Sequence, residues 1–272
     1  MKINLKHPLF LLAAGLILAS GGAFGATKAV SADKATVENV GFETASIGVK
    51  LQEDRSTDPD KEDYVTVAAV KDGKEVTGEL VFTSLAAVKS GTEKLVVETP
   101  YPENIRVVNP TSDDKESDGS SGAEYVRVVI RKYWVDENGK KDTTLDPSII
   151  KLNKTSDWGE VDLASGEEII LYSKKPIDNT DNKNTSKVIE SITFDEKILD
   201  DITKTTTKTE TEEGYIIESN STYGYDGKTF KVEARVDAVQ AHSAEEAILG
   251  AWGVKATIDS NGTIVKIDNT DL

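Results

Sequence analysis

The chain has 272 residues, a formal charge of -16 at pH 7, 38% hydrophobic residues and no cysteine. That length holds one large all-β domain or two small ones, and the acidity disfavours nucleic acid and anionic membranes as partners. Without cysteine, disulfides, thiolate catalysis, Cys-zinc sites, thiol-attached cofactors and a lipidated cysteine are all excluded.

Residues 1–25 have the three-part form of a secretory leader, with Lys2 and Lys6 ahead of an apolar run from Pro8 to Ala19 and small residues after it. About 12 apolar residues fall short of the roughly 20 that span a bilayer, so no membrane span is expected to be retained. Small residues at Val30 and Ala32 would suit cleavage before Asp33.

From Ala35 onward the pattern is β-like. Ala45, Ile47, Val49 and Leu51 alternate with Ser46, Gly48, Lys50 and Gln52, the signature of a half-buried strand. A charged loop from Glu53 to Asp63 leads to YVTVAAVKDGKEVTGELVF, where Asp72-Gly73 predicts a hairpin. The stretch from Leu95 to Asn109 alternates in part. Residues 110–122, PTSDDKESDGSSG, contain no apolar side chain and are expected to be a mobile acidic loop.

EYVRVVIRKYWV is the strongest predicted strand. Val126, Val128, Ile130 and Trp134 share one face with Lys132, and Tyr125, Arg127, Val129, Arg131 and Tyr133 share the other. Asn138-Gly139 predicts a type I′ turn, and Asp146-Pro147 predicts a short helical turn capped by the Asp. Further strands are expected in EEIILYSKKP and SKVIESITF, with a polar loop over residues 178–187. The Thr-rich run from Lys204 is read as an exposed edge region entering a strand at Tyr215. Asp226-Gly227 is read as a hairpin turn before a one-sided strand carrying Phe230, Val232, Ala234, Val236 and Ala238.

One helix is expected from Ser243. Ser243 and Glu246 match a capping box, Ala247, Ile248, Ala251 and Trp252 form one apolar face, and Gly253 is placed to end the helix. VKATI and TIVKI are expected to pair around Asn261-Gly262. Many short strands with one or two short helices predict an all-β fold, a β-sandwich. No internal repeat is visible.

Catalytic chemistry is sparse. Of two histidines, His7 belongs to the leader, and His242 alone cannot build a His-rich zinc site. No HExxH, GxSxG, P-loop or GxGxxG occurs, and no loop has the EF-hand calcium spacing. Hence no catalytic residue, metal ligand or cofactor is assigned and the chain is not expected to be an enzyme. Trp134, Trp158 and Trp252 could line a sugar site or, for Trp134 and Trp252 above all, pack in the core.

Three stretches resemble the TasA/camelysin-like proteins of Gram-positive bacteria that the SipW signal peptidase processes, the clostridial branch in particular. They are the leader with GGAFGATKA and the strand ASIGVKLQED, then EYVRVVIRKYWVDENGKKDTTLDPSIIKLN with YPENIRVVNPTS before it, and VEARVDAVQAHSAEEAILGAWGVKATI. The resemblance implies cleavage between Gly25 and Ala26, which removes Lys2 and Lys6 and takes the formal charge from -16 to -18. It implies a jelly-roll-like β-sandwich over residues 26–272, exported and placed outside the cell or on its surface, as a subunit of matrix or biofilm fibres. Its implied partners are the SipW-type peptidase, other matrix or surface components, and further copies of itself. Copies would join by donor-strand complementation, the N-terminal segment with Ala45, Ile47, Val49 and Leu51 completing a neighbour's sheet. The same residues also read as an ordinary first strand. A second reading is a monomeric cell-surface binding or adhesin module. The metalloendopeptidase activity attached to camelysin is not carried over, because the His and Cys ligands are missing.

Overall fold

The computed structural model describes residues 47–272 apart from residues 59, 112, 121, 181–183, 212–213 and 227. The leader, the Gly25–Ala26 cleavage site, Ala45 and Gly227 lie outside the described residues.

The fold is an all-β sandwich. One sheet has six strands: β1 (Lys50–Asp54), β2 (Tyr64–Lys71), β3 (Lys74–Val76), β5 (Tyr101–Val108), β7 (Ile150–Lys154) and β10 (Thr185–Phe194), in the order β3-β2-β1-β5-β10-β7. The other has five: β4 (Gly78–Glu79), β6 (Glu124–Val135), β8 (Trp158–Asp162), β9 (Glu168–Ser173) and β13 (Thr229–Gln240), in the order β4-β13-β6-β9-β8. The ladders in both are antiparallel. The backbone of the second sheet is the β6–β13 pair, in register over twelve residues from Thr229↔Val135 to Gln240↔Glu124.

The period-2 pattern explains the core. Val126, Val128, Ile130 and Trp134 face inward against Val232, Ala234 and Val236, and meet Val49, Leu51, Ile105, Ile189 and Ile192 from the first sheet. Trp134 anchors an aromatic cluster with Phe230 at 5.9 Å and Phe194 at 6.5 Å, and its Nε1 donates to Asp146 O. Lys132 also points inward, and its ammonium is satisfied by donating to Ile150 O. Trp158 is fully buried, and Trp134 and Trp252 are nearly so. All three tryptophans are therefore core residues rather than a sugar platform.

A third layer covers the outer face of the five-stranded sheet. It consists of a helix, α2 (Ala244–Trp252), and a small sheet of β14 (Ala256–Ile258), β15 (Ile264–Ile267) and β16 (Thr270–Asp271). Trp252 packs on Tyr172 at 5.6 Å and under the Arg127 guanidinium at 5.2 Å, while Arg127 pairs with Asp237 at 2.7 Å. A shorter helix, α1 (Ala86–Lys89), follows β4.

Several expectations are corrected. Ser243 does sit at the start of α2, but its φ is 52° and its side chain makes no capping bond, so the Ser243–Glu246 capping box is not formed. A residue held in the left-handed region cannot present its hydroxyl to the first turn as an extended cap does. Instead Glu245 of that first turn accepts from Ile258 N. The buried helix face is Ala244, Ile248 and Trp252, whereas Ala251 is exposed. Gly253 ends the helix at φ 71°, as expected. Asn138-Gly139 is not a type I′ turn, which needs two positive φ values, for only Gly139 has one. Asp72 and Gly73 both have positive φ, and the hairpin predicted there is formed. The strands flanking Asp226-Gly227 pair with other partners, so no hairpin is made at that turn.

Candidate assembly surfaces

The N-terminal strand comes first. Val49 and Leu51 are fully buried and Ile47 packs against the same core. β1 is an inner strand, pairing β2 on one side and β5 on the other. The described part of the predicted donor segment is thus used by the chain's own sheet. The part of the predicted donor segment before Ile47 lies outside the described residues.

The second face of β1 is covered as well, and this is where residues 110–122 belong. Sequence predicts a mobile loop; the structure packs it down. Lys50 Nζ donates to Asp114 at 2.6 Å and to Glu116 at 3.3 Å. The Asp118 carboxylate accepts from Asp72 N and Gly73 N at 2.9 and 2.8 Å, tying the β2–β3 turn. Gly48 lies so close beneath that a Cβ there would stand 1.5 Å from Asp118 O. The acidity that marked this stretch as solvated instead serves fixed donors.

Next to it lies a buried polar knot. Asn109 Nδ2 donates to Gly122 O and Ile177 O, while Glu124 Oε1 accepts from Ser120 Oγ at 2.8 Å and Gly48 N at 3.3 Å. Asn109 Oδ1 and Glu124 Oε2 are buried without a hydrogen-bond partner among the described residues. Burial pushes the Glu124 carboxyl up to about 7, against the pull of its Ser120 and Gly48 donors. Glu103 is likewise raised to about 7 by burial, although Ser84 donates to it. Glu53, fully buried, accepts from Val81 N, Phe82 N and the Arg55 guanidinium.

The sheet edges come next. β3, β4, β7 and β8 end the two main sheets, and none exceeds five residues. β8 is also overlaid by the C-terminal Leu272, which stands where a Gly159 side chain would be. These are the usual ways a sheet edge is blunted.

One element is different. β11 (Ile202–Thr211) and β12 (Gly214–Tyr223) form a two-stranded ribbon of ten pairs, from Ile202↔Tyr223 to Thr211↔Gly214, without a register shift. Every residue of both strands is exposed. Tyr215, Ile216 and Ile217 stand 59%, 52% and 66% open. One face carries a column of Thr203, Thr205, Thr207, Thr209 and Thr211. The opposite face carries Ile202, Lys204, Lys208, Tyr215, Ile217 and Tyr223, with Lys208 Nζ 3.6 Å from the Tyr215 ring centroid. The sequence signal for β11 was Thr at every odd position from 203 to 211, in a run whose low hydrophobicity reads as an exposed edge region.

Comparison with protein-family models, curated proteins and solved structures found no match. Among the described residues no three His, Asp or Glu side chains gather as a metal would need. Nor, among them, is any helix long and apolar enough to cross a membrane. His242 is exposed beside α2.

Proposed function

We propose that the chain is an exported structural subunit of extracellular fibres or matrix, processed by a SipW-type peptidase. The observation that carries this reading is the way the resembling stretches fall in the fold. EYVRVVIRKYWV is β6, VEARVDAVQ lies in β13, and the two are paired along their whole length with α2 stacked behind them. Stretches far apart in sequence thus form one contiguous unit, as they would if the resemblance reflected a common fold rather than scattered similarity. A leader ahead of an all-β body with little catalytic chemistry agrees with it.

Head-to-tail joining draws on the segment from Ala26 to Ser46, since β1 is committed to its own sheet. A heterologous contact of that kind does not close and builds a filament. The test is negative-stain microscopy of residues 26–272 beside residues 47–272. Truncation must stop there, because removing β1 would split the six-stranded sheet between β2 and β5 and take Val49 and Leu51 out of the core. Fibres from the longer chain alone support the reading; no fibres from either, with both folded, favour a monomeric surface-binding module.

A further inference from the structure

From the β11–β12 ribbon we infer that β12 is a self-association strand, pairing antiparallel with β12 of a second copy about a two-fold axis at Ser219. This contact goes beyond the fibre reading and does not depend on it: it is isologous and closes after two copies.

Four observations point to a second copy. First, the ribbon is built against the pattern of the rest of the molecule. Its ten-residue strands carry no bulge and no proline, whereas the edges of the two main sheets are short. Second, its outer edges differ. β11 carries Lys204 and Lys208, the charged side chains that discourage pairing, while β12, GYIIESNSTY, has no lysine and one acid, Glu218. Third, a lone two-stranded ribbon is marginal in water, and a third and fourth strand give it the width that sheets need. Fourth, β12 has a single charged residue among its ten, Glu218, on a chain that is 29% charged, so two copies of it meet with little like-charge contact.

The register follows from the side chains. Identical antiparallel strands related by a two-fold axis place one residue opposite itself. Centred on Glu218, the pairing sets two carboxylates against each other, which is unfavourable. Centred on Ser219, it sets Glu218 opposite Asn220, Ile217 opposite Ser221, Ile216 opposite Thr222 and Tyr215 opposite Tyr223. That register makes a Tyr–Tyr pair at each end and no like-charge pair. Centres further along shorten the overlap and leave Tyr215 or Tyr223 without a partner.

Because the natural chain has no cysteine, the register can be read by disulfide formation. The experiment is mild oxidation of residues 26–272 carrying Ser219→Cys or Ser221→Cys, followed by non-reducing electrophoresis. Directly opposed residues have Cα atoms roughly 4.5–5.5 Å apart, within disulfide reach. Ser219→Cys is expected to cross-link at least tenfold faster than Ser221→Cys, and an equal mixture of Ile217→Cys and Ser221→Cys chains to give the mixed dimer. Ser219→Lys, which opposes two ammonium groups, is expected to turn dimers into monomers in sedimentation while circular dichroism stays unchanged. Equal slow cross-linking at both positions, or a monomer whatever the residue at 219, overturns the inference. Fibres from the Ser219→Lys chain would leave the head-to-tail reading intact, so the two proposals fail separately.

Discussion

At the residue scale, the buried carboxyl groups differ in how many donors meet them. Glu53 is met by two backbone N–H groups and Arg55. Replacing it with Ala would orphan Val81 N and Phe82 N, at a cost of about 2–4 kcal/mol, which a urea midpoint with unchanged slope would report. Gly48→Ala is expected to lose about 1–3 kcal/mol, because the new methyl collides with backbone at Asp118 and the acidic loop has to lift. Ser243→Gly should be neutral or stabilising by up to about 1 kcal/mol, since its side chain caps nothing and its φ of 52° suits glycine. A loss of a full cap's worth would show that the hydroxyl acts after all.

At the scale of elements, local sequence was readable wherever alternation met a buried face. β6 and β13 alternate against one core, and their limits are close to those expected. The same rule failed for the acidic loop, where ionic contacts from Lys50 and turn N–H groups replace the hydrophobic contacts that sequence patterns report. It also failed for the capping box, because spacing specifies which residues are available but not the backbone angle at Ser243. β7 and β8, IKLNK and WGEVD, were missed: each carries only two apolar side chains, set among charged and polar neighbours. Pairing partners were the least legible, as Asp226-Gly227 shows. A turn signal says that the chain bends, while the partner of each strand is set by distant packing. The ribbon gives a prediction of its own. Replacing residues 203–222 with a short Gly/Ser turn should move Tm by less than about 2 °C, since no core residue is lost. A larger fall by differential scanning fluorimetry would mean that the ribbon braces the sandwich.

For the molecule as a whole, protons and charge act in the same direction over one pH range. The Glu124 and Glu103 carboxyls sit near 7 in the folded chain against an ordinary 4.5. The folded state therefore binds more protons than the unfolded state between those values. Their contribution is complete below about pH 4.5 and is lost as pH rises through 7, by roughly 3 kcal/mol at most for Glu124. Asp142, held at about 2 by hydrogen bonds from Thr144 and by Lys228, and Asp195, lowered by Lys151, act oppositely and lose their contribution in acid. Stability should peak near pH 5, and Glu124→Gln should flatten the limb between pH 5 and 7.5. An unaltered limb in that variant would remove Glu124 from the account. Mild acid also relieves the repulsion between chains of net charge -16, so assembly should strengthen over the same interval.

Self-association of residues 26–272 is decided by analytical ultracentrifugation between pH 7.5 and pH 4.5, up to millimolar concentration. Dimers and larger species are expected, their share growing with concentration and with falling pH. A single monomeric boundary at every concentration and every pH would contradict it and leave a surface-binding module as the reading to pursue.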